Sequence, residues 1–169
     1  MTPSRLFDCI EYQLDKFPKS DMLVAKESGV WRKYSTEETK KTVDRFSAGL
    51  LALGLSGNNM LPETTDKIAL ISNNRPEWVF TDLACQQIGV TLCPIYPTTG
   101  VNELEFILND AAVKYIFVSS ADLYEKVNSI CPKVNSIKGI YSFDIIEKVN
   151  NWTHVLDLAT EELIQNVKT

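Results

Sequence analysis

Four short apolar runs, residues 68–71, 90–93, 115–118 and 137–141, begin 22 to 25 residues apart, with helical periodicity in every gap between them. Each run is rich in β-branched and aromatic residues, and its apolarity is nearly continuous rather than alternating. A strand that is apolar on both sides has to be covered on both faces, so these runs are expected to lie parallel in one sheet sandwiched by helices. Right-handed crossovers then follow from strand twist. The expected fold class is α/β, a mostly parallel sheet with helices on both faces.

Local signals place the crossover helices. Asn74 is expected as an N-cap, with Pro76 in the first turn, where its missing amide costs nothing, and Glu77 three residues after the cap. Val79 with Leu83, and Phe80 with Ala84 and Ile88, make two adjoining rows, and Gly89 closes the helix. Leu104, Ile107 and Leu108 mark a second helix over 103–109, and Leu123, Val127 and Ile130 a third over 122–130. Pro94 has no amide to donate, so its strand is expected at a sheet edge or peeling away into the following loop.

Upstream, Leu6, Ile10, Leu14 and Phe17 give 5–17 the stripe of an amphipathic surface helix. The extended runs 22–25 and 30–34, separated by Glu27, Ser28 and Gly29, predict a hairpin or two adjacent edge strands. Ser35 and Glu38 form a capping-box pair ahead of a helix whose stripe is Val43, Phe46, Leu50 and Leu53, ended by Gly54. Residues 56–66 are a polar loop, and 150–151 a turn. The expected organisation is one α/β unit over 1–150, followed by an acidic, weakly helical linker over 151–169.

At 169 residues the chain has one domain's worth of core. A formal charge of −5 with scattered basic residues leaves no electrostatic footprint for nucleic acid. The N-terminus carries Asp8, Glu11 and Asp15 and does not read as a signal peptide. The longest apolar run, 48–55, falls far short of the ~20 residues that span a bilayer, so the chain is expected to be cytoplasmic, with peripheral membrane attachment left open. Cys9, Cys85, Cys93 and Cys131 form no C-x-x-C pair and are expected as reduced thiols.

No two of the seven glycines fit a dinucleotide or phosphate-loop fingerprint. The strand-to-helix turns Ser72-Asn73-Asn74, Pro97-Thr98-Thr99-Gly100 and Ser119-Ser120 could present amides and hydroxyls to an anion, but helix capping is their ordinary use. The Arg75-Pro76-Glu77-Trp78 run could clamp a substrate, although a capping Glu77 and a packed Trp78 explain it structurally. Because open α/β sheets take ligands at the carboxyl ends of their strands, Tyr96 and Thr98 are the candidate binding residues. No catalytic residue is assigned: His154 is the single histidine, no G-x-S-x-G elbow exists, and no metal-ligand spacing is present.

Residues 71–98, ISNNRPEWVFTDLACQQIGVTLCPIYPT, resemble the N-terminal part of the AMP-forming acyl-CoA synthetases, the long-chain fatty acid CoA ligases in particular. The likeness extends to Trp31-Arg32-Lys33-Tyr34-Ser35 with the helix after it, and to Asp66-Lys67-Ile68-Ala69-Leu70, where Thr65 stands at the family's usual glycine. It implies the flavodoxin- or Rossmann-like N-terminal subdomain of the acetyl-CoA synthetase-like fold. It further implies a ligase that uses ATP, Mg2+ and coenzyme A to activate a fatty acid as an acyl-adenylate and pass it to the CoA thiol. The phosphate loop, adenine segment, ribose-binding Asp and lid Lys of such enzymes lie downstream of these residues, and none can be assigned in this chain. The 169 residues alone are therefore expected to be inactive, to bind none of these cofactors tightly, and to self-associate through exposed apolar surface. The alternative is a free-standing α/β binding or dimerisation module without catalysis.

Overall fold

In the computed structural model, which describes residues 3–167, the chain opens with α1 (Asp8–Lys16), the strands β1 (Leu23–Glu27) and β2 (Val30–Tyr34), and α2 (Thr36–Ala52). Strand and helix then alternate through β3 (Lys67–Ile71), α3 (Pro76–Ile88), β4 (Thr91–Ile95), α4 (Val101–Asp110), β5 (Tyr115–Val118), α5 (Ala121–Ile130) and β6 (Gly139–Ser142). Two short helices follow, α6 (Thr153–Asp157) and α7 (Glu161–Val167).

The four apolar runs form one wholly parallel sheet in the order β4-β3-β5-β6. Successive residues of each strand serve opposite layers, which is why the runs have no polar side. Ile68, Leu70, Tyr115 and Phe117 join a core with α2, α3 and α6, through Val43, Phe46, Leu50, Phe80, Ala84 and Val155. Ala69, Ile71, Ile116 and Val118 join a second core with α4 and α5, through Leu104, Leu108, Leu123, Val127 and Ile130. Full burial of each such side chain contributes roughly 1.5–3 kcal/mol, so the two layers account for most of the drive to fold.

Pro94 sits on the edge strand, as its missing amide requires. Thr91 donates its backbone N–H to the Asp66 carbonyl at 2.9 Å, and alternation then turns the backbone of Pro94 away from β3. The proline removes a donor only from the open edge, where it blocks further strand addition.

The hairpin expectation holds: β1 and β2 pair antiparallel around Ser28 and Gly29, whose φ values of 48° and 86° suit a two-residue turn. In the capping box only half the pair forms. Ser35 accepts from the Glu38 amide at 3.0 Å, but the Glu38 carboxylate goes to Arg32 at 3.1 Å, an opposite charge being a stronger partner than a backbone N–H. Of the apolar stripe expected over 5–17, Ile10 is buried in α1, whereas Leu6 and Phe17, which flank the helix, stay 77% and 54% exposed.

The stretch read as a linker carries α6 and α7, and its first residues are core. Trp152 packs edge-on against Phe46 at 5.3 Å and Phe143 at 5.8 Å, with Val155 fully buried beside them. Helix α6 comes so close to α2 that a Cβ on Gly49 would overlap the Val155 main chain. Residues 150–152 also hold the open edge of β6, through Ser142 N–H to the Asn150 carbonyl and Trp152 N–H to the Ser142 carbonyl.

Candidate functional site

With the strand order β4-β3-β5-β6, the chain leaves β3 toward β4 and then crosses back to β5, so the direction of winding reverses between β3 and β5. Sheets of this kind take ligands in the crevice outside the carboxyl ends of those two strands. Here that crevice is filled by a side chain. The Arg75 guanidinium donates to both Glu77 carboxylate oxygens at 2.8 and 2.9 Å, to the Ser119 carbonyl at 3.1 Å and to Asp144 Oδ1 at 2.9 Å, and it lies 5.3 Å from the Phe143 ring centroid. Partial burial opposes its charge, but the hydrogen bonds to Glu77 and Asp144 outweigh that and push its pKa above the ordinary arginine value.

These bonds overturn the expected cap. Helix α3 starts from Arg75, which is extended at φ −160° and ψ 162°, and not from Asn74. The residue before a proline is driven out of the helical region, so Pro76 fixes the boundary one residue later than the side-chain chemistry suggested. Glu77 consequently caps no amide and serves as the counter-ion of Arg75. Capping fails at the other two turns as well, where Gly100 and Ser120 hold the N-cap positions and neither helix receives a side-chain cap.

Beside the filled crevice lies an open groove of about 500 Å³ between the carboxyl ends of β3 and β4. Ser72, Asn73 and Asn74 form its polar side, Trp78 one wall, and Pro94 to Pro97 its apolar floor and outer wall. Of the two candidate residues, Tyr96 borders the groove and is 82% exposed, whereas Thr98 is exposed and does not line it. Sequence reasoning missed Lys126 on α5, whose ammonium donates to the Pro97 carbonyl at 2.6 Å and the Thr99 carbonyl at 3.2 Å. A lone lysine on a crossover helix gives no signal in one dimension, since its partners are main-chain atoms 27 and 29 residues away.

Missed too was a buried polar cluster on α2: Lys40 pairs with Asp44 at 2.6 Å, Gln87 donates to Asp44 at 3.0 Å, and the Ser47 hydroxyl bonds to Gln87. Thr65, where the family likeness expects glycine, is accommodated without strain, its hydroxyl donating to the Gly57 carbonyl at 2.6 Å. Neighbouring Asp66 pairs with Lys114 and accepts from the Ser56 amide at 2.9 Å. Both lie at the amino end of the sheet, opposite the groove.

All four cysteines are free, with Cys85 buried, Cys93 and Cys131 partly covered and Cys9 exposed. Burial pushes the Cys85 thiol pKa up. His154 is exposed on α6. Among the described residues no group of three His, Cys, Asp or Glu side chains could hold a metal ion, and no helix is long and apolar enough to cross a membrane.

The model of the family described as "AMP-binding enzyme" matches residues 10–163. The chain is 25% identical over 131 residues to the medium-chain acyl-CoA ligase ACSF2, mitochondrial, of Rattus norvegicus, covering 75% of this chain and 20% of that protein. It is 40% identical over 74 residues to long chain acyl-CoA synthetase 2 of Arabidopsis thaliana, covering 41% of this chain and 10% of that one. The fold superposes on a long-chain-fatty-acid-CoA ligase (FadD1) from Archaeoglobus fulgidus with a TM-score of 0.75 at 21% identity, over 95% of this chain and 31% of that chain. The chain thus spans about a fifth of the length of the first of these curated relatives.

Proposed function

The chain belongs to the AMP-binding enzyme family, and from that premise we propose that it is the N-terminal α/β portion of a long-chain fatty acid CoA ligase. The complete protein would activate a fatty acid with ATP through an acyl-adenylate and transfer the acyl group to coenzyme A. The observation that carries this reading is the block 71–98, in which β3, α3 and β4 build the open groove and supply the Arg75 that fills the neighbouring crevice. The denser identity of the shorter match, to a long-chain synthetase, favours a long-chain over a medium-chain acid.

The residues present do not fit ATP or its metal. A triphosphate needs backbone amides, cations and a metal arrayed around developing charge. At the winding reversal the donors of Arg75 are already taken by Glu77, Ser119 and Asp144, and none of the turns there is glycine-rich. No step of adenylation is therefore assigned to a residue of this chain, whose part is to shape the sheet and the groove. The α/β subdomain read over 1–150 takes in the core residues Trp152 and Val155 as well, and the acidic segment after them leads toward the phosphate-binding half.

Two measurements test the reading. The purified 169-residue chain mixed with ATP, Mg2+, palmitate and coenzyme A is expected to release no pyrophosphate, and measurable turnover refutes its inactivity. The reading frame that follows the Thr169 codon is expected to encode a Ser/Thr/Gly-rich loop closing on Lys within a few dozen codons. An immediate stop codon in the native gene overturns the ligase assignment and leaves a free-standing module.

A further inference from the structure

Tyr96 and Pro97 of the β4–α4 loop, residues 96–100, form the outer wall of the groove, yet nothing in the loop is buried: Tyr96, Thr98 and Gly100 are exposed, and Pro97 and Thr99 only partly covered. Inside the loop there is one turn bond, from the Thr99 amide to the Tyr96 carbonyl at 3.0 Å. Burial therefore does not hold the wall in place. Among the described residues the one side chain that bonds it is Lys126, donating to the carbonyls of Pro97 and Thr99 from the neighbouring crossover helix. An ammonium shared between two carbonyls is a charge-assisted contact, stronger than a neutral hydrogen bond.

We propose that Lys126 is the positioning residue of the groove: its ammonium latches the β4–α4 loop in the conformation that makes Tyr96 and Pro97 part of the groove wall. The anchor is rigid because α5 is seated by the fully or nearly fully buried Leu123, Val127 and Ile130, so the loop inherits its place from the core beneath β5. The place of the outer wall, and with it the width of the groove, then depends on one half-buried cation that does not itself line the groove. This holds whatever acid the complete protein activates, because it rests on the loop and helix alone.

Amide hydrogen exchange on the whole chain tests it, with Lys126→Met and Lys126→Gln, which keep the aliphatic stem, and Lys126→Arg as the rescue. Loss of a charge-assisted bond pair is expected to speed exchange at the Thr99 amide about tenfold in the Met and Gln variants, with the β5 amides unchanged, and Arg restores it to within about twofold. Unchanged Thr99 exchange in both neutral variants overturns the proposal. So does an acceleration spread equally over β5, which would mark Lys126 as a general stabiliser, and so does a failure of Arg to rescue.

Discussion

Arg75 Nη1 lies 2.9 Å from Asp144 Oδ1, joining residues 69 apart in sequence across the carboxyl ends of the sheet. The same guanidinium is gripped more deeply by Glu77, which is 13% exposed against 52% for Asp144. The two partners should accordingly contribute unequally. Asp144→Asn is expected to lower stability by about 0.5–1 kcal/mol, the range of an exposed pair. Arg75→Met strands the largely covered Glu77 carboxylate and should cost more, about 1–3 kcal/mol. Urea unfolding of the two variants measures this, and an equal cost would show that Arg75 is not the hub of that crevice.

Gly49 faces the main-chain carbonyl of Val155, and a methyl group there has no free volume. Gly49→Ala raises helix propensity in α2 but must push α6 away, and overpacking of this kind costs roughly 1–3 kcal/mol. Because Trp152 sits at the start of α6 among Phe46, Phe80 and Phe143, its fluorescence should shift to the red in that variant. A stabilised Gly49→Ala with unchanged emission would contradict the close approach.

The Asp8 carboxyl is held well below the ordinary carboxylate range by the side-chain hydrogen bond from Arg5, with help from Ser4. A depressed folded-state pKa contributes stability that is complete above about pH 4, the unfolded value, and is lost as the pH falls through the folded value. The start of α1 should therefore loosen in strong acid. Nuclear magnetic resonance shifts at Cys9 and Ile10 followed from pH 6 down to about pH 1 would report it, and Asp8→Asn should erase that pH dependence.

Thiol reactivity should rank the cysteines by burial. Cys85 is fully enclosed, and burial, with Asp82 adding, pushes its pKa up, so little thiolate forms at pH 8. Iodoacetamide is expected to label exposed Cys9 first, and Cys85 at the rate of global unfolding. Rapid labelling of Cys85 in the native protein would mean that the α2–α3 layer opens on its own.

The layered sheet was legible in one dimension because a strand covered on both faces must be apolar at every position, as 68–71 and 115–118 are, and because Pro94 confines its strand to an edge or to a departure into the loop. The hairpin and the cap at Ser35 were legible for the same reason: Ser28-Gly29 and Ser35 act on backbone within a few residues. Fold class and family likeness therefore reside in local chemistry. Three features needed the third dimension. Arg75 and Asp144 meet only because β5 lies between β3 and β6, Lys126 reaches Pro97 only because α4 and α5 share a face, and Trp152 is core only because Gly49 lets α6 approach. Each depends on distances between elements far apart along the chain, which local periodicity and propensity do not encode, and together they decide which crevice is filled and which groove stays open.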